Sequence, residues 1–238
     1  MTIAVVLGLI AFCTSTMAGI FGMGGGLLLL GFIPSFLPPA ATIPVHGVVQ
    51  LVSNISRAYF SWRHIRWQVF TPYILGGVVG TACFAFVLKS ISLAYLPLFI
   101  GGYILLSQWS NIFNRLVAKL ESFALLGFIQ VGLSLFSGTI GPVHMVLLHK
   151  RYDDKDDIVA TAAGLMTVKH GLKIVAFIVI GVELWHYLDV MVVMSLAAIG
   201  GSYLGTRLRG KTQNKQFRWV LKLLLSVLAI KMIIEVFY

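Results

Sequence analysis

The chain has 238 residues, 58% hydrophobic and 11% charged, with a formal net charge of +10 and a mean hydropathy of +0.93. A water-soluble domain of this size cannot hide that much apolar surface, so the composition argues for a bilayer as solvent. Continuous rather than alternating apolar runs argue against a β-barrel, and cations placed in short loops beside those runs argue against nucleic acid as the partner.

Eight apolar blocks follow in chain order: 2–37, 41–60, 70–88, 92–108, 123–148, 158–181, 184–206 and 217–237. A spanning helix needs about 20 apolar residues. The N-terminus, MTIAVVLGLIAF, has no basic n-region, and a cleaved signal peptide is not expected. The first block is too long for one crossing, because its 36 residues as one helix would run about 54 Å. It is interrupted by AGIFGMGGG, where Gly22, Gly24, Gly25 and Gly26 weaken the helix and allow the chain to turn back. The second block carries His46, Gln50, Asn54 and Arg57 on one helical face. Gln50 and Asn54 are neutral donors able to replace an oxyanion's hydration shell, or to hydrogen-bond between helices. Arg57 is expected near an aqueous mouth, and SWRHIRW (61–67) reads as an interfacial belt. Cys13 and Cys83 both fall in apolar segments and read as core fillers rather than a disulfide or metal pair.

The fifth block is broken in its turn by SGTIGPVHM, which holds Gly138, Gly141, Pro142 and His144. Pro142 suits the first position of a returning helix, which places His144 in its first turn. HKRYDDKDD (149–157) reads as a solvated loop. The sixth block carries Lys169 and His170 near its centre, with Lys173 one turn beyond Lys169 on the same face. A central lysine costs about 2.5–3.5 kcal/mol on insertion scales. The eight acids all lie in loops or near block ends, so the counter-ion expected for these amines is a small anion from outside the chain. Neutral or snorkelling lysines are the competing explanation.

The two breaks form a repeat. Gly19 and Gly22 match Gly138 and Gly141 at a shift of 119, and GGVVGTA (76–82) echoes GSYLGTR (201–207) at a shift of 125. If every block crosses once, six loop cations face ten. If blocks one and five are hairpins, fourteen face two, Lys89 and Lys231. The second arrangement obeys the positive-inside rule. The expected fold is therefore an all-α polytopic membrane protein with two inverted repeats, 1–118 and 119–238. Each is a glycine-broken helical hairpin plus three transmembrane helices, with both termini non-cytoplasmic. The hairpin arms are left open between re-entrant and fully spanning.

The glycine-broken first block with GIFGMGGG, its echo SGTIGP, and the GxxxGT segments in each half resemble the TauE/SafE sulfite-exporter family over essentially the whole chain. The resemblance implies a bacterial-type inner-membrane carrier of sulfur-containing anions such as sulfite or organosulfonates. It transfers to the turn glycines Gly22, Gly24, Gly25, Gly26, Gly138 and Gly141. The chain departs from it at GPVHM, where the family tends toward a more glycine-rich turn and where His144 stands ready to tune the substrate.

The expected function is a secondary transporter for a small oxyanion, bound by the two turns together with Gln50, Asn54, His144, Lys169 and His170, and exposed alternately as one half rocks against the other. Proton coupling through His170, His144 or a lysine is open. The alternatives are an anion channel, a structural membrane subunit, or an intramembrane serine hydrolase using Ser134 or Ser137 with His170. No cofactor or metal is called for. The partners expected are the anion and the bilayer, with a homodimer left open and no nucleic acid.

Overall fold

The computed structural model describes residues 2–22, 24–138, 143–209 and 215–237, and its regular elements there are helical. Helix α1 (Thr2–Phe21) is apolar on all sides, as a helix immersed in lipid and protein should be. At 20 residues it is about 30 Å long, the thickness of a hydrocarbon core. It stops at Phe21 because Gly22 (φ 76°) and Gly24 (φ 90°) take left-handed backbone that other residues avoid. Helix α2 (Gly25–Phe32) then returns along α1. A Cβ on Gly25 would meet the Thr14 carbonyl oxygen and the Ala18 side chain, and Leu29 shares a core with Leu7 and Ala11. With eight residues, α2 is too short to cross. The first hairpin therefore has one full arm and one re-entrant arm. A 3-10 turn containing Pro34 and the pair Pro38–Pro39 end it and launch α3 (Pro39–Phe60).

Helices α4 (Phe70–Leu88), α5 (Leu96–Trp109) and α6 (Asn111–Ala118) complete the first half. Helix α6 is absent from the sequence reading. It is short and amphipathic, with Ile112 and Leu116 exposed, the habit of a helix lying along an interface. The second half of the chain holds α7 (Phe123–Ser137), α8 (Val143–Arg151), α9 (Lys155–Ile180), α10 (Leu188–Leu208) and α11 (Lys215–Ile234). Gly138, at φ 70°, follows α7 directly, just as Gly22 follows α1. Gly19, aligned with Gly138 in the sequence, instead lies within α1 against Gly205. Gly141 and Pro142 lie outside the described residues. Among the described residues, four helices are long and apolar enough to cross a membrane: those over Ile3–Phe21, Trp67–Leu88, Lys155–Ile180 and Trp185–Leu208.

The packing crosses the sequence halves. Helix α1 lies along α10, α4 along α7, and α3 along α9. Small residues make the first two contacts intimate. Cβ atoms on Gly76 and Gly80 would sit 1.9 and 2.2 Å from the carbonyl oxygens of Ala124 and Phe128. Cβ atoms on Gly201 and Gly205 would sit 2.2 Å from those of Phe12 and Thr16. The two GxxxG runs are thus the contact faces of α4 and α10, where close backbone approach supplies the dispersion that lipid cannot. Three apolar cores result. One joins α1, α2, α3 and α10 through Leu7, Leu29, Val45 and Met194. Another joins α7, α8, α9 and α4 through Leu126, Leu147, Leu165 and Tyr73. A third, with Leu96, Ile100 and Leu225, ties α5 and α11 to both.

Charged groups gather at one end of the bundle. Asp157 accepts from Arg66 and pairs with His64 at 3.1 Å, while Arg209 reaches Asp156 at 3.1 Å. HKRYDDKDD is accordingly more than a solvated loop: α9 begins at Lys155, three residues before block six. Asp154 caps it by accepting from the amides of Asp156 and Asp157 at 2.8 and 2.9 Å. Those amides hold its carboxyl below the usual carboxylate range. At the opposite end Lys231 donates to Ser35 at 2.7 Å. Cys13 and Cys83 are exposed on the outer surface rather than filling the core. Because that surface faces hydrocarbon, an apolar segment does not reveal which of its sides turns inward.

Candidate functional site

The site lies where α3 and α9 cross between the two main cores. Lys169 and Lys173, one turn apart on α9, have no exposed surface, and neither does His46 on α3. The His46 and His170 rings meet edge to face with centroids 5.7 Å apart. Gly47 on α3 makes room for this approach, since a Cβ there would lie 3.0 Å from the Lys173 Cε.

Both glycine turns reach this centre. From the first, the Gly26 carbonyl accepts from His46 Nε2 at 2.9 Å, and a Cβ on Gly26 would press within 3.1 Å of Gln50 Oε1. From the second, the Gly138 carbonyl accepts from Lys173 Nζ at 2.7 Å. That carbonyl belongs to the unsatisfied C-terminal end of α7, so part of the Lys173 charge is offset by the helix dipole. At the end of α1, Arg209 Nε similarly donates to Gly19 at 3.1 Å.

Further along α3, Asn54 donates to the Gln50 carbonyl at 2.6 Å and accepts from the Arg57 guanidinium. Arg57 is 4% exposed, so it is buried against Asn54 rather than open to water at a mouth. His144, at the start of α8, accepts at Nδ1 from Gln130 Nε2 (2.9 Å), and Gln130 Oε1 in turn accepts from Tyr73 at 3.0 Å. This chain ties α4, α7 and α8 together and leaves the His144 hydrogen on Nε2. Tyr73 and Gln130 had no signal in the sequence; a lone polar residue in an apolar run gives no hint of its partner.

The remaining turn glycines do other work. Gly22 faces the side chains of Val159 and Met145, Gly25 is pressed on Thr14, and Gly24 provides the left-handed turn. Ser134 and Ser137 donate to carbonyls one turn back on α7 rather than to His170, as expected of helix hydroxyls.

Two properties of the centre bear on a ligand. Seven of the eight acids are exposed, and the eighth, Asp157, is held by Arg66 and His64 at the bundle's charged end. Three buried polar atoms, His46 Nδ1, His170 Nδ1 and Arg57 Nη1, find no hydrogen-bond partner among the described residues. Buried polar atoms ordinarily have one, so such a set asks for a guest. A 450 Å³ groove lies elsewhere, between Val78 and Phe86 of α4 and Val175 and Val179 of α9, and is apolar.

A multi-pass helical membrane protein with a basic centre closed between two cores fits the class of membrane transporters. The family model for the sulfite exporter TauE/SafE matches residues 7–232, and the chain belongs to this family. Membership makes it a transporter rather than an enzyme. No curated protein and no solved structure matches the chain.

Proposed function

We propose that the protein is a secondary transporter for a small sulfur-containing oxyanion, of the sulfite or organosulfonate type, in the inner membrane. The observation that carries this reading is the buried basic group Lys169, Lys173, Arg57, His46 and His170 on α3 and α9, tied to the first turn by His46 and to the second by Lys173, while every acid stays outside. Gln50, Asn54 and His144 line the same region as neutral partners, with Gly26 and Gly138 as its backbone edges. Gly22, Gly24 and Gly25 serve it indirectly by shaping the first turn. Gly141 belongs to the proposal from its place in the sequence alone.

The cross-half packing supports two inverted repeats and redefines the moving parts. The two cores, α1–α2–α3–α10 and α4–α7–α8–α9, each draw three helices from one half and one from the other. Alternating access would be a rocking of these bodies about the α3–α9 contact, with the anion between them. The burial of Lys169, Lys173, His46 and His170 supports an occluded arrangement of such a site.

A thermal-shift series on the purified protein tests the reading. Sulfite, sulfoacetate or taurine should raise the melting temperature where nitrate does not, by up to about 2.7 kcal/mol of stabilisation at a hundred times Kd. Lys169→Ala should fold and lose the shift. An unchanged shift in that variant, or none with any sulfur anion in the wild type, would contradict the proposal.

A further inference from the structure

His46 is held so that only one of its ring nitrogens can titrate. Its Nε2 lies 2.9 Å from the Gly26 carbonyl oxygen, which can only accept, so Nε2 keeps its hydrogen in every protonation state. The proton that comes and goes is therefore on Nδ1. That atom is buried, and no described residue offers it a partner. In the neutral ring it is a bare lone pair, which a fully ionised oxyanion cannot satisfy. In the charged ring it is an N–H with nothing to receive it.

The surroundings decide what can complete it. From α9 the ring faces Lys169, His170 and Lys173; from α2 it faces only the Gly26 carbonyl. Helices α1 and α10 meet α3 through the hydroxyls of Ser15 and Ser202, and α5 and α7 through apolar Ile100 and Leu135. No acid is present to balance a charged imidazole among these amines. A protonated His46 is compatible with the site only when an anion shares it.

We propose that the anion and one proton occupy the site together, the proton lying in the hydrogen bond between His46 Nδ1 and an anion oxygen. A hydrogen-bearing anion such as bisulfite donates to the neutral ring, and a fully ionised sulfonate accepts from the charged ring. In the first case the proton arrives on the anion, and in the second the ring draws it from solution; either way one proton accompanies each anion in the site. This rests on the anion site proposed above and identifies its co-substrate.

The test is calorimetric titration of the purified full chain with methanesulfonate at pH 8, in buffers of different ionisation enthalpy. Methanesulfonate does not titrate there, so any linked proton is bound by the protein. The wild type should take up one proton per anion. His46→Gln, whose amide can still donate to the Gly26 carbonyl but which lacks Nδ1, should take up none. Binding to the wild type without proton uptake overturns the inference while leaving the anion site standing. Full uptake by His46→Gln also overturns it. If that variant is not monodisperse, the wild-type proton count decides alone. Failure of the wild type to bind either methanesulfonate or sulfite overturns the anion site itself, and the inference with it.

Discussion

Lys173 shows what a side chain buried in an apolar helix needs. Its position one turn from Lys169 was legible in the sequence, and so was the shortage of acids to balance the pair. Its partner was not, because Gly138 carries no side chain and offers only the carbonyl that a broken α7 leaves free. His144 is a similar case. Its placement in the first turn of a returning helix was readable from Pro142, whereas the Gln130–Tyr73 relay that fixes its ring depends on which helices meet. Tyr73→Phe removes the buried hydrogen bond from the Tyr73 hydroxyl to Gln130 Oε1. The expected loss is about 0.5–1.5 kcal/mol of stability, read as a lower melting temperature. The sulfite-induced shift should persist in this variant, since Tyr73 stands behind His144 rather than at the α3–α9 crossing.

At the level of helices, the apolar blocks located the spans within a few residues because lipid demands long uninterrupted runs. What they could not say is which face of each helix turns inward. A soluble helix reveals its buried side by amphipathicity, but in a bilayer both sides are apolar. Cys13 and Cys83 fell on the outer face for this reason. The exceptions are the GxxxG runs, where the absence of side chains marks the contact. Gly76→Val would drive a methyl group into the Ala124 carbonyl and part α4 from α7, with loss of monodisperse protein on size exclusion. Gly171, in the interior of α9, has open space where a Cβ would go. Gly171→Ala should therefore be tolerated, with a gain of up to about 1 kcal/mol from helix propensity, checked by the melting temperature.

On the scale of the whole molecule, the charge count and the structure describe the same axis. The ion pairs of Asp156 and Asp157 with Arg66, His64 and Arg209 lie at the end that gathers most of the loop cations, and Lys231 sits at the other. If that basic end is cytoplasmic, a cysteine at Lys89 should react with an impermeant maleimide on intact cells, while one at Arg63 should react only after lysis, in a background lacking Cys13 and Cys83. The reverse pattern would invert the assigned orientation.

The interleaving of helices also constrains how this protein can be made. Residues 1–118 present Gly76 and Gly80 to a mate that only the second half encodes, and residues 119–238 present Gly201 and Gly205 to one that only the first encodes. Neither piece can close its seam alone. Each is a template for the other, so maturation in the translocon must hold α1 and α4 unmatched until α7 and α10 have been threaded in, and insertion finishes only when the last third of the chain arrives.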